Sequence, residues 1–439
     1  MTDGPLDAWW KVIGAARWFG GKGLPGRVTA LAPLPWLTAS GTLPAVRPEV
    51  ATIAYDDGRT DRYHLLTGYT TAPEAAVVTW VDDPVHGTLA VVDATADPGC
   101  MRALLTGLTD AGNPAMEWLD STAIDPAAPT RVWPGEQSNT TVCVGDDRLF
   151  KVFRKLEPGR NLDVEVLAAL NDSGSTPRLF GTLVGDLPCD DPAGTARADL
   201  GMFVERVAGV RDGWQWAVER CASERDITAE AGDLGVALKA VHRQLAEAFG
   251  TGAVEGDDLA AAMIGRLEAA VAEVPELGRF AAAARRALGG LAGRRLATQR
   301  VHGDFHLGQT LRSADGWTII DFEGEPLKPL AQRRLPDSVW RDVAGMLRSF
   351  DYVRGAHSDP TSPQARAWSS AARAAFLDGY CAGSPPDAPV LDAYELEKAV
   401  YEVVYEARNR PNWVHIPLGA VHDLARRTAL VPTHNQEEN

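Results

Sequence analysis

The chain contains no apolar run approaching ~18 residues, so nothing in it reads as a membrane-spanning helix. Its early segment LDAWWKVIGAARWFG lacks the basic start and long apolar core of a secretory signal. Cysteine is sparse and unpatterned. Cys100, Cys143, Cys189, Cys221 and Cys381 are odd in number, widely scattered, and form neither CxxC nor Cys/His metal spacing. They are expected to be reduced and mostly buried as small hydrophobes. Positive charge is also short, with 43 Lys and Arg against 59 Asp and Glu and a formal net charge of −16. A field of that sign repels nucleic-acid phosphates and anionic lipid headgroups. These absences predict a cytoplasmic protein with neither nucleic acid nor membrane as partner; a monomer or weak dimer is expected.

What is present suits a globular body. Apolar residues make up 45% and charged residues 23% of 439 positions, a length for roughly two to four packed units. Residues 1–90 read as a small β-rich unit with an aromatic N-terminal helix, because runs such as VATIAY and RYHLLTGY are broken by Pro, Gly and Asp-Gly turn signals. Within 91–207, the segment RVWPGEQSNTTVCVGDDRLFKVF predicts three short antiparallel strands, and NLDVEVLAALNDSG a helix. From 208 to 439 the pattern turns helical, with DLGVALKAVHRQLAEAF and DLAAAMIGRLEAAVAEV as long amphipathic helices. Two β-like pieces, QRVHGD and GWTIIDF, interrupt it. The fold class is α+β, with the tail PTHNQEEN frayed.

Those two pieces carry the chemistry. RVHGDFHLGQTL places His302, Asp304, His306 and Gln309 within eight positions, and Asp321 ends an apolar strand 17 positions after Asp304. Phosphoryl transfer from a nucleotide needs a carboxylate to accept the hydroxyl proton, oxygen ligands for Mg²⁺, and a cation on the phosphates. Asp304 with Gln309 has the spacing of a kinase catalytic aspartate and its metal-binding amide, and Asp321, in DFE rather than DFG, matches the second metal carboxylate. Upstream, strand alternation in RLFKVF puts Lys151 beside Leu149 and Phe153, an odd place for an unused charge, although an edge-strand lysine reaching for solvent fits the same pattern. Glu165 on the following helix is its expected partner, with Asp163 and Glu157 close by. GEQSNT is the expected loop over the phosphates, through Ser138, Asn139 and backbone N–H groups. His302 and His306 are expected to orient backbone rather than bind metal. RWFGGKG follows no strand and lacks a Ser or Thr after its Lys, so it reads as a turn.

HGDFHLGQ with IIDFEGEP resembles the core of the aminoglycoside phosphotransferase and choline kinase superfamily. ARWFGGKG, GEQSNT, LFKVFRKLEPGRN, IDFEGEP, RDVAGMLRSFDY and VYEVVYEARNRPNW make the chain, from about residue 16 to 420, look like actinobacterial maltokinases and a related glucosamine kinase branch. The resemblance implies a bilobal protein-kinase-like fold with an N-terminal cap (1–90), an ATP-binding intermediate part (91–207) and a helical C-lobe (208–439). It implies ATP and Mg²⁺ as cofactors and a sugar, glucosamine or maltose, as substrate. Asp304 would be the base, Gln309 and Asp321 the Mg²⁺ ligands, Lys151 and Glu165 the phosphate-orienting pair, and Glu205 to Val207 the adenine hinge.

The acceptor site is sought in KAVYEVVYEARNRPNW. Val400, Val403, Val404 and Ala407 form one helical stripe, leaving Tyr401, Glu402, Tyr405, Glu406 and Asn409 opposite, with Arg410 and Trp413 at the end. Rings beside carboxylates and amides suit a sugar, and Glu402, Glu406 and Asp304 together would suit an amino sugar. Equally, Glu402, Glu406 and Arg410 would make a surface ladder of i,i+4 pairs.

Overall fold

A computed structural model describes residues 4–110, 112–135, 138–188, 194–325 and 328–429. The chain divides into two compact units, Met1–Asn171 with Pro177–Ala208, and Asp172–Thr176 with Gly209–Asn439.

The first unit holds two antiparallel sheets. β1 (Gly26–Pro33), β2 (Ala45–Tyr55), β3 (Thr60–Thr70), β4 (Val77–Asp83) and β5 (Gly87–Asp93) lie in the order β1-β2-β3-β5-β4. VATIAY and RYHLLTGY fall in β2 and β3, which pair along their length. Both faces of β2 are covered, since Ile53 packs with Trp9 and Ile13 of helix α1 (Pro5–Ala15), whereas Val46 and Val50 pack with Leu104 and Leu105 of α2 (Pro98–Thr109). The second sheet has the order β6-β10-β11-β9-β8-β7, from β6 (Met116–Trp118), β7 (Thr130–Val132), β8 (Thr140–Val144), β9 (Arg148–Val152), β10 (Leu179–Pro188) and β11 (Thr195–Glu205). The expected three-stranded meander is thus β7-β8-β9, and β11 covers the other side of β9. Arg154, just past β9 and 1% exposed, ties the two sheets together. Its guanidinium donates to Asp93, Thr140 and the His64 carbonyl. Asn161 caps α3 (Leu162–Ala169) by accepting the Asp163 and Val164 N–H groups.

The second unit is helical as the periodicity requires. Its helices are α4 (Gly213–Ala222), α5 (Thr228–Phe249), α6 (Gly256–Glu273), α7 (Ala281–Gly289), α8 (Leu330–Arg333), α9 (Trp340–Gly355), α10 (Pro363–Cys381), α11 (Ala388–Asn409) and α12 (His415–Ala429). The two long amphipathic runs are α5 and α6. β12 (Arg211–Asp212), β15 (Thr310–Arg312) and β16 (Trp317–Ile319) form one small sheet, and β13 (Thr251–Glu255) pairs with β14 (Arg295–Gln299). QRVHGD is not the strand expected. β14 stops at Gln299, because the next N–H groups turn to a carboxylate on α9 instead of a ladder. No helix among the described residues is long and apolar enough to cross a membrane. Cys100, Cys143 and Cys221 are buried and Cys381 half-buried, all as free thiols. Cys189 and the PTHNQEEN tail lie outside the described residues.

Candidate active site

Asp304 sits in an irregular loop between β14 and β15, and α9 holds that loop at three points one or two turns apart. Asp342, fully buried, accepts the His302 N–H at 2.7 Å through Oδ2 and the Gly303 N–H at 2.8 Å through Oδ1. A Cβ on Gly345 would stand 2.5 Å from the Phe305 carbonyl oxygen, so only glycine lets the loop lie this close. Ser349 Oγ accepts the Leu307 N–H at 3.1 Å. Gly303, with φ 86, makes the turn into Asp304. His302 orients the loop as expected, its Nε2 donating to the Ile320 carbonyl at 3.0 Å, which leaves Nδ1 to face the Asp304 N–H at 3.4 Å. His306 accepts the Gly308 N–H through Nδ1, and its Nε2 stands 4.0 Å from Asp304 Oδ2.

A residue that sequence reasoning passed over completes this centre. Lys398 of α11 places Nζ 3.1 Å from Asp304 Oδ1 and 5.2 Å over the Tyr401 ring. Burial pushes the Asp304 carboxyl up, but the Lys398 ammonium, with His306 behind it, outweighs burial and holds it below the ordinary carboxylate range. Burial alone would lower the Lys398 ammonium, yet Asp304 and Glu402 raise it above its ordinary value. Burial pushes the His306 imidazole below its ordinary value, against the pull of Asp304. Asp304 and Lys398 open on a cavity of about 700 Å³, also lined by Glu325, Tyr401, Glu397, Arg266 and Arg341.

Asp321 lies where β16 ends, and the Ile320 N–H donates to the Gln309 carbonyl at 3.0 Å, so the β15–β16 ladder brings Gln309 alongside Ile320 and Asp321. Asp321 has φ 66, a left-handed conformation that costs a non-glycine residue roughly 1–2 kcal/mol. Such an outlier at a carboxylate is the kind of strain that functional sites retain. Oxygen atoms of Asp321 and Glu323 stand within 4.8 Å of each other, which adds a second carboxylate in the DFE segment. The two carboxylates offer oxygen ligands of the kind a hard cation such as Mg²⁺ takes, and the ladder sets the backbone of Gln309 beside them.

In the first unit, Lys151 stands on β9 between β8 and β11, which removes the edge-strand reading. Its Nζ is 3.0 Å from Oδ2 of Asp163. Asp163, in the first turn of α3 with a side chain only 3% exposed, is thus a carboxylate partner of Lys151 two positions before the Glu165 that was expected in that role. On this helix Asp163 is buried and Glu165 half-buried. Ser138 is exposed, and Asn139 Oδ1 accepts the Arg154 N–H at 3.1 Å, so this amide shapes the loop before β8. Glu136 and Gln137 of the same loop lie outside the described residues. Glu205 ends β11 and accepts the Arg178 N–H, and Val207 follows just before the first unit closes at Ala208.

Of the acceptor residues expected on and after α11, Tyr401 faces the cavity, and Glu402, Tyr405, Glu406, Asn409, Arg410 and Trp413 do not. Glu397, Lys398, Val400, Val404 and Arg408 line it beside Tyr401. Glu402 turns towards α9 and accepts Arg348 Nε at 2.9 Å, with Arg348 1% exposed. Glu406, also buried, accepts from Tyr352 and from Arg410. Arg410 lies over Tyr405 and Trp413, and Asn409 donates to the Tyr405 carbonyl. The Val400, Val403 stripe and the Glu402, Glu406 stripe are thus both buried, against different neighbours. The signal that would have found Lys398 is its place one turn before Glu402 on a helix otherwise read for acids.

Fold and site together define a phosphotransferase. Residues 130–394 match the model of the phosphotransferase enzyme family, and residues 13–97 match the maltokinase N-terminal cap domain. The chain belongs to that family, as its motifs led one to expect. It is 33% identical to a glucosamine kinase of Streptacidiphilus jiangxiensis over 325 residues, covering 66% of this chain and 72% of that one. A glucosamine kinase of Mycolicibacterium smegmatis is 27% identical over 317 residues, covering 66% and 78%. A solved glucosamine kinase in complex with glucosamine, ADP and inorganic phosphate aligns with a TM-score of 0.65 at 26% identity, over 97% of this chain and 100% of that chain. A second crystal form of glucosamine kinase gives 0.67 at 25% identity, over 95% and 99%.

Proposed function

We propose that the chain transfers the terminal phosphoryl group of ATP to a sugar hydroxyl, with glucosamine as acceptor and glucosamine 6-phosphate as product. The observation that carries the reading is Asp304, an ionised carboxylate held on a pinned loop at the head of a cavity. Similarity to glucosamine kinases over nearly the whole chain supports the acceptor. Asp304 accepts the proton of the attacking hydroxyl, and Lys151, held by Asp163, orients the nucleotide phosphates. Gln309 and Asp321, with Glu323, would hold Mg²⁺, which neutralises charge on the transferring phosphoryl group.

One observation favours maltose, phosphorylated at its anomeric hydroxyl, as a second reading. Every carboxylate lining the cavity faces a cation: Asp304 meets Lys398, Glu325 meets Lys328, Glu397 meets Arg266, Asp337 meets Arg341 and Glu273 meets Arg408. An ammonium substrate gains most from an unpaired carboxylate, whereas a neutral sugar needs only donors and acceptors. The maltokinase-type cap agrees with this alternative. Purified protein with ATP and saturating Mg²⁺ is to be offered glucosamine, maltose, glucose, N-acetylglucosamine and an aminoglycoside. A kcat/KM preference for glucosamine over glucose supports the first reading, and one for maltose replaces it with the second. Nucleotide binding without turnover on any of them would overturn both.

A further inference from the structure

We propose that His242 and Tyr380, neither of which lines the cavity, are positioning residues of the phosphotransfer reaction. They act through Asp342 on the loop that carries Asp304. Three helices contribute one buried side chain each to a continuous chain of bonds. Tyr380 of α10 places its hydroxyl 2.9 Å from His242 Nδ1 on α5, and His242 Nε2 lies 2.8 Å from Asp342 Oδ2 on α9. Tyr380 is 8%, His242 3% and Asp342 0% exposed.

The direction of each bond follows from what Asp342 is already doing. A carboxylate only accepts, so His242 Nε2 carries the hydrogen, and in the neutral ring Nδ1 accepts from the Tyr380 hydroxyl. Oδ2 of Asp342 then takes two donors, His242 Nε2–H and the His302 N–H, and Oδ1 takes the Gly303 N–H. Without His242 the carboxylate would be free to turn about its last side-chain bond and trade one amide for the other. With His242, its plane is set so that each oxygen meets its own amide. The backbone of His242 is held as well, since Gln299 at the end of β14, where the catalytic loop starts, donates to the His242 carbonyl at 2.6 Å. His242 is therefore tied to the catalytic loop twice, through Asp342 and through Gln299. A network bonded at every joint specifies one geometry more sharply than its bonds do singly.

The inference rests on Asp304 as the base, and the test separates the two. Full-length His242→Leu, His242→Gln and Tyr380→Phe are to be compared with wild type in kcat, in both KM values, in thermal stability, and in amide hydrogen exchange at residues 302–304. Misplacing a reacting group by about 1 Å costs about a hundredfold in rate, so His242→Leu should lose about that in kcat with both KM values unchanged, and exchange at His302 and Gly303 should speed up. His242→Gln, whose amide reaches near the Nε2 position, should recover most of the loss, and Tyr380→Phe should lose a few-fold. Wild-type kcat and exchange in His242→Leu, with only a lower melting temperature, would overturn the proposal. Should His242→Leu fail to fold, Tyr380→Phe decides in the same way. Exchange needs no turnover, so a failure of Asp304 as base leaves that readout intact.

Discussion

Lys151 and Lys398 are two nearly matched ion pairs, one in each unit. Their side chains are 17% and 22% exposed, and each ammonium stands 3.0 or 3.1 Å from an aspartate oxygen. One was visible in the sequence and the other was not. Lys151 lies in a strand, where a two-residue period leaves a lysine between Leu149 and Phe153 no innocent explanation once the strand is interior. Lys398 lies in ELEKAVYEVVYE, where a charge among charges on a helix reads as solvated surface. The lesson concerns period more than chemistry: a buried charge stands out in a strand and is camouflaged in a charged helix.

The comparison can be broken at either end. Of the two lysines, Lys151→Met should have the larger effect, about a hundredfold or more in kcat, because one preorganised donor on developing charge is worth that much. Its KM for ATP should rise while the sugar KM holds. Equal effects on both substrates would deny the division of labour between the two lysines.

Glu402→Leu separates the cavity from the arginine network behind it. Removing one partner of a buried pair costs about 3 kcal/mol, so stability should fall by up to that order in chemical denaturation, since buried Arg348 is left with Asp351 as the one carboxylate of its two. The folded fraction should keep its sugar KM. A large rise in that KM with stability unchanged would return Glu402 to the acceptor site.

Lys398→Met should be the mildest, about tenfold in kcat/KM for the sugar with KM for ATP unchanged, in line with a single charged hydrogen bond. Its pH profile carries the sharper sign. In the wild type burial pushes the Asp304 carboxyl up, and the Lys398 ammonium together with His306 and His302 keeps it below its ordinary value. Without it burial acts unopposed by that cation, the Asp304 pKa rises, and the acid limb of kcat/KM should move to higher pH. An acid limb that stays put would mean that Lys398 does not tune Asp304.

Much of the site was legible because it is local. Asp304, Gln309 and Asp321 fall within 18 consecutive positions, and the small β15–β16 ladder that brings Gln309 to Asp321 has its own turn signal in Asp315-Gly316. The alternation in VATIAY and the periodicity of α5 and α6 likewise announced their elements. What stayed hidden depends on helical phase or on distant partners. Asp163, read only as a neighbour of Glu165, is the carboxylate 3.0 Å from Lys151 because its phase on a short helix buries it. The α11 face was misassigned because Glu402 and Glu406 find Arg348 and Tyr352, more than 50 residues upstream, and no spacing rule reveals such pairs. QRVHGD read as a strand because nothing nearby shows that Asp342, 40 residues on, claims the His302 amide.

The most direct test of the account is Asp304→Asn, which preserves shape and removes the base. Phosphorylation of the best acceptor should fall by about a thousandfold, within the range that a general base contributes, while nucleotide affinity, measured by titration calorimetry, stays at the wild-type value. Turnover within a few-fold of wild type in that variant would contradict the central claim that Asp304 activates the acceptor hydroxyl.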